Sequence, residues 1–171
     1  MMLTQLPDYL IDPWQLASQG SVLKGRLALT KMTRLQAALS AHADWATLDW
    51  HFSMINGQPV IRGTVAAEVT VQCQRCLQDM VIQAVGETWL CAVHEHFNEE
   101  KIPEGFEPVI VEHQHILLSQ LVEDELILLL PFAPMHEVCP ENPYHVETVE
   151  EIPLENEKKP NPFGVLAQLK K

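Results

Sequence analysis

Two stretches of alternating character, 59–73 and 80–94, flank the short turn Cys73-Gln74-Arg75-Cys76, and this arrangement constrains the fold more than any other feature of the chain. In the first stretch Val65, Ala67, Val69, Val71 and Cys73 share one face while Thr64, Glu68, Thr70 and Gln72 share the other. That is the pattern of a strand with one dry and one wet side. In the second, Val81, Val85, Trp89, Cys91 and Val93 are assigned to one side. Upstream, Leu48, Trp50, Phe52 and Met54 alternate with polar neighbours and run into Asn56-Gly57, a pair tolerant of positive φ that predicts a tight hairpin into the strand from Pro59. Sequential strands with short links favour an antiparallel meander.

Helical signals surround this sheet. Asp12-Pro13-Trp14-Gln15 combines an N-cap with proline at the first helical position, and Gly20 closes the short helix. A strand is expected over 22–29, then a helix from Thr30 or Thr33 to about Ala41 with Leu35 and Leu39 turned inward. Residues 98–107 read as an acidic loop and 108–112 as a short strand. The main helix is expected over 116–130, where Leu118, Val122, Leu126 and Leu129 form a stripe that Leu117, Leu121 and Leu128 widen, with Glu123, Asp124 and Glu125 on its polar side. The fold class is therefore α+β: a mostly antiparallel sheet, curled toward a partial barrel, closed by a few helices. One globular domain should occupy 1–139. A flexible acidic, proline-rich linker follows over 140–160, and a short C-terminal helix over 161–171, an amphipathic peptide with Phe163, Leu166 and Leu169 at helical spacing, is expected to dock on the chain's own body or to anchor a partner.

Composition narrows the function. With 47% hydrophobic and 20% charged residues the chain can build a core. Its net charge of −12 opposes non-specific adhesion to DNA or anionic lipid. The charge is segregated, however: between Pro13 and Ala43 there is no carboxylate, yet Lys24, Arg26, Lys31 and Arg34 all fall there. No signal-like opening and no apolar run long enough to cross a bilayer is found, so a cytoplasmic location with reduced cysteines is expected. No nucleophile elbow or phosphate-cradling glycine loop occurs, and adjacent carboxylates on a helix diverge, so an enzyme is not expected.

The Cys73-Gln74-Arg75-Cys76-Leu77 element after a strand, the Val122-Glu123-Asp124-Glu125-Leu126 helix ending in Leu130-Pro131, and the closing Lys159-Pro160-Asn161-Pro162-Phe163 occur in one order. Together they make the chain resemble the YceD family of bacterial large ribosomal RNA subunit accumulation proteins. The resemblance implies a non-catalytic role in the synthesis, processing or stability of large-subunit (23S) ribosomal RNA, hence in ribosome assembly, with that RNA or its precursor as partner. Many members look like four-cysteine metal proteins with a second Cys-x-x-Cys after the helix; here that region reads His136-Glu137-Val138-Cys139.

Three candidate sites follow. Cys73, Cys76, His136 and Cys139 offer thiolate and imidazole donors at chelating spacings, which suits tetrahedral zinc; the alternative is a structural turn with free thiols and no cofactor. Lys24, Arg26, Lys31 and Arg34, extended by Arg62 and Arg75, form a candidate RNA-binding strip, with Trp50 or Phe52 as stacking surface where exposed. The competing reading is an acidic interaction module that engages a basic ribosomal protein or assembly factor through its tail. His94, His96, His113 and His115 alternate around the acidic loop and are read as a solvated face, and Cys91 as a small buried hydrophobe.

Overall fold

The computed structural model describes residues 4–139. In chain order these form β1 (Leu10–Ile11), α1 (Pro13–Ser18), β2 (Val22–Ala28), α2 (Thr33–Ala38), β3 (Trp45–Ile55), β4 (Gln58–Gln72), β5 (Asp79–Val93), β6 (Glu107–Ile110), β7 (Ile116–Leu117) and α3 (Leu118–Leu129). The linker 140–160 and the peptide 161–171, with Phe163, Leu166 and Leu169, lie outside the described residues.

The α+β architecture is as expected. Five strands form one sheet in the order β2-β3-β4-β5-β6, antiparallel except for the last pair, and β1 pairs with β7 in a separate two-stranded ribbon. Among the described residues the sheet does not close into a barrel. The Asn56-Gly57 hairpin has positive φ at both residues (51° and 79°), which the right-handed twist of the flanking strands favours. The one parallel pairing departs from a meander because residues 94–106 are long enough to carry the chain back across the strand end before β6.

One face of the sheet holds the core. Leu48, Trp50 and Phe52 from β3, Val65, Ala67, Val69 and Val71 from β4, and Leu118, Leu121, Val122 and Leu126 from α3 are all buried together. Gly86 admits the end of α3, since a Cβ there would stand 2.3 Å from Leu129.

On β5 the expected burial is reversed over most of its length. Val81, Val85 and Trp89 are exposed, and Ala84, Leu90 and Ala92 reach the core instead. Both faces of this strand are apolar, so alternation alone cannot choose between them. Cys91 and Val93 are buried, but in a second small cluster with Val60, under Phe97, Ile102 and Phe106 of the acidic loop.

The main helix begins two residues late, because Ile116 and Leu117 pair with β1 before the chain turns helical. Glu123, expected on the polar side, is only 8% exposed. Its Oε1 accepts from the backbone amides of Arg34 (2.8 Å) and Leu35 (3.0 Å), and its Oε2 accepts from the Arg34 guanidinium at 2.9 Å. The N-cap of α2, Met32, has no side-chain acceptor, so Glu123 satisfies the first-turn amides from another helix.

Candidate metal centre

The turn between β4 and β5 is built by backbone hydrogen bonds. The Cys73 amide donates to the Gln78 carbonyl and the Leu77 amide donates to the Cys73 carbonyl, both at 2.9 Å. Leu77 sits at φ 61°, the left-handed conformation in which glycine carries no penalty and leucine does. The turn keeps that shape because it aims amides at sulfur: those of Cys76, His136 and Arg75 donate toward Cys73, and that of Gln78 toward Cys76.

After α3, Pro131 ends the helix and the chain returns to this turn. The Gln74 amide donates to the Pro134 carbonyl at 2.8 Å. His136 and Cys139 then arrive opposite Cys73 and Cys76, and one donor atom from each of the four lies within 4.8 Å of the other three. Cys73 Sγ is 3.8 Å from Cys139 Sγ, and Cys76 Sγ is 3.3 Å from His136 Nδ1. A tetrahedral ion about 2.3 Å from each sulfur and about 2.0 Å from nitrogen requires separations of about 3.8 Å and 3.5 Å. The donor set therefore fits a metal ion in type and spacing.

Electrostatics agree with a cation at the centre. Burial opposes ionisation of the Cys73 thiol, but the three amides outweigh it and bring its pKa down to about 5. Cys76 moves the other way, pushed up by burial and then by the sulfurs of Cys73 and Cys139. Three thiolates cannot share this volume without added positive charge. Part of that charge comes from Arg75, whose Nε donates to Cys139 Sγ at 2.9 Å and whose terminal nitrogen donates to the His136 carbonyl at 2.7 Å. Arg75 is thus placed at the cluster as a clamp on its second half.

The remaining basic residues are divided. Arg34 is held by Glu123 and Asp124, and Lys24 pairs with Asp49. Arg26 stacks over the Trp45 ring at 4.3 Å, and Arg62 lies 5.9 Å from the Trp89 ring centre. Lys31 is exposed in the turn before α2. Trp50 and Phe52 are buried and cannot stack on a ligand; the tryptophans that do reach the surface are Trp45 and Trp89. Trp45 was discoverable, because the alternation that buries Trp50 places position 45 on the opposite face.

His94 stacks flat on Trp14 at 4.3 Å, and His94, His96 and His113 line one shallow depression. Among the described residues these histidines do not converge on a metal-sized point. No helix among the described residues is long and apolar enough to cross a membrane.

A family model described as large ribosomal RNA subunit accumulation protein YceD matches residues 61–170, from within β4 through the cluster and beyond. The chain belongs to the YceD family. A YceD family relative named large ribosomal RNA subunit accumulation protein YceD, from Haemophilus influenzae, is 40% identical over 114 residues. That alignment covers 65% of this chain and 65% of the relative's length. No solved structure matches the chain.

Proposed function

We propose that this YceD family chain is a non-catalytic, cytoplasmic factor that supports accumulation of large-subunit (23S) ribosomal RNA during ribosome assembly, and that its four-donor cluster holds one structural zinc ion. The observation that carries the role is membership of a family named for that accumulation. The cluster supports the non-catalytic part. All four tetrahedral positions would be filled by Cys73, Cys76, His136 and Cys139, with none left open for water or substrate. Zinc suits three thiolates and one imidazole better than harder ions do. With three thiolates the bound centre carries one net negative charge, which the Arg75 guanidinium offsets.

The test is deletion of the gene in its host, with 23S measured against 16S RNA and the 50S peak followed in sucrose gradients. Loss of the chain is expected to lower both, and the full chain to restore them. An unchanged 23S to 16S ratio contradicts the role.

A second reading, binding of a basic ribosomal protein or assembly factor, is favoured by one observation. Glu87, Glu107 and Glu125 line a single cleft beside exposed Leu128, a setting suited to a cationic side chain. Under that reading deletion of 140–171 or neutralisation of this cleft abolishes capture of the partner, and RNA is retained only through it.

A further inference from the structure

Cross-strand register places a row of exposed side chains on the sheet face opposite the core. Val22 faces His51, His51 faces Arg62, and Arg62 faces Trp89 across β2, β3, β4 and β5. Two rows further along are Arg26, Thr47, Ala66 and Val85, followed by Ala28 and Trp45. Trp45 is 37% and Trp89 42% exposed, and Val81 and Val85 lie open between them and the sheet's end. The loop over 97–106 covers one end of this face above Val60, Cys91 and Val93, and Trp89 borders that cover through Phe106, whereas Trp45 lies outside it.

Each tryptophan has an arginine. The Arg26 guanidinium lies over Trp45 from the neighbouring strand, and Arg62 is the direct cross-strand neighbour of Trp89. Phe106 meets Trp89 edge-on at 5.5 Å, and Glu87 accepts from its indole nitrogen at 3.1 Å, so the ring is held in place before any ligand arrives. Two strand spacings and three two-residue steps separate the tryptophans, about 20 Å. The charged groups here are Lys24, Arg26 and Arg62 against Asp49, Glu68, Asp79 and Glu87, and Glu107 and Glu125 line the cleft that Trp89 borders. Asp49 is paired with Lys24, and Glu68 accepts from Gln83. Arg26 and Arg62 form no ion pair among the described residues, so the cations left free for a phosphate on this face stand beside the two tryptophans.

We infer that this face binds single-stranded RNA, with bases stacking on Trp45 and Trp89 and backbone phosphates meeting Arg26 and Arg62. The inference rests on the rRNA role proposed above and names its direct ligand. Stacking on aromatic platforms is tolerant of sequence and suits an extended strand, for which sites span roughly 4 to 16 nucleotides. A basic protein would be drawn instead to Glu107 and Glu125, in the cleft that Trp89 borders. With only two arginines engaged, affinity should depend weakly on salt, with a slope of roughly −1.4 in log affinity against log salt.

The experiment is fluorescence anisotropy of the full chain with a labelled single-stranded RNA of about 12 nucleotides, alongside the same sequence as a duplex. Trp45→Ala or Trp89→Ala is expected to weaken single-strand binding by about ten- to hundredfold. The phenylalanine variants should keep most of it, and Arg26→Gln plus Arg62→Gln should lower affinity and flatten the salt slope while thermal melting stays unchanged. Absence of binding, equal binding by the tryptophan variants, or preference for the duplex overturns the inference. So does loss of a captured ribosomal protein in these variants with RNA affinity intact. The rRNA ratio in deletion cells keeps the two levels apart. Failure of the wild-type chain to raise 23S removes the role itself, whereas full rescue by the Trp45→Ala, Trp89→Ala double variant removes only this surface.

Discussion

Glu123 illustrates how one carboxylate can tie two helices together. Burial alone would raise its pKa, but the amides of Leu35 and Arg34 and the Arg34 guanidinium more than offset this and hold it below the ordinary 4.5. Replacing it with alanine leaves buried amides without an acceptor. The expected cost is about 2–4 kcal/mol in urea unfolding, with Glu123→Gln near half of that because a carbonyl oxygen remains. The sign of the pH effect follows from the depressed pKa. The stabilisation is complete above the unfolded value and is lost as pH falls through the folded one, so wild-type stability should decline below about pH 4.5. Glu123→Gln should flatten that decline, and a melting series from pH 3 to 7 checks it. At this scale the sequence was least readable. Glu123 sits among Asp124 and Glu125 in a polar run, and only the position of α2 tells which carboxylate turns inward. Arg34 likewise looked like a surface cation until its partners came into view.

At the scale of elements, the strands from 45 to 72 were legible because one face is apolar and the other polar, and the Asn56-Gly57 turn sets their register. Gly63 shows how tight that register is. A Cβ there would lie 1.9 Å from the Asp49 carbonyl oxygen, a backbone atom that cannot move aside. Gly63→Ala is expected to cost about 3 kcal/mol or more, read as a lower urea midpoint with an unchanged slope. The β5 assignment failed for the opposite reason, since Val81, Val85 and Trp89 on one side compete with Ile82, Leu90 and Ala92 on the other. The knuckle at Cys73 and Cys76 was visible from spacing, but its partnership with His136 and Cys139 depends on Pro131 sending the chain back. Arg75, which clamps that return, was read as part of an RNA surface. Arg75→Ala should therefore lower metal affinity by about tenfold or more, measured by competition with a chromogenic chelator. β5 lies where alternation placed it, with only its faces exchanged; apart from β1, the parallel pairing of β6 and the β7–α3 junction, the elements fall close to where periodicity placed them.

For the molecule as a whole, segregated charge was visible in the sequence, yet the fold redistributes it. Lys24 and Arg34 are neutralised by acids from other strands and helices, and Arg75 faces sulfur. What remains on the open sheet face, among its carboxylates, is two arginine–tryptophan pairs, Arg26 with Trp45 and Arg62 with Trp89, that only cross-strand register reveals. The four-donor cluster has a comparable reach, joining the β4–β5 turn to the segment that follows the last helix, and a metal ion bound there would staple the two. Its removal should release residues 131–139 first, seen as faster amide exchange there while β3 and β4 keep their protection. The most direct measurement of the proposed zinc staple is native mass spectrometry of the full chain purified from cells without added metal. The account predicts one zinc ion per chain, lost in Cys76→Ser, with the melting temperature of the wild type falling on chelation. A metal-free mass, free alkylation of Cys73, Cys76 and Cys139 in the native chain and a melting temperature indifferent to chelator would contradict it.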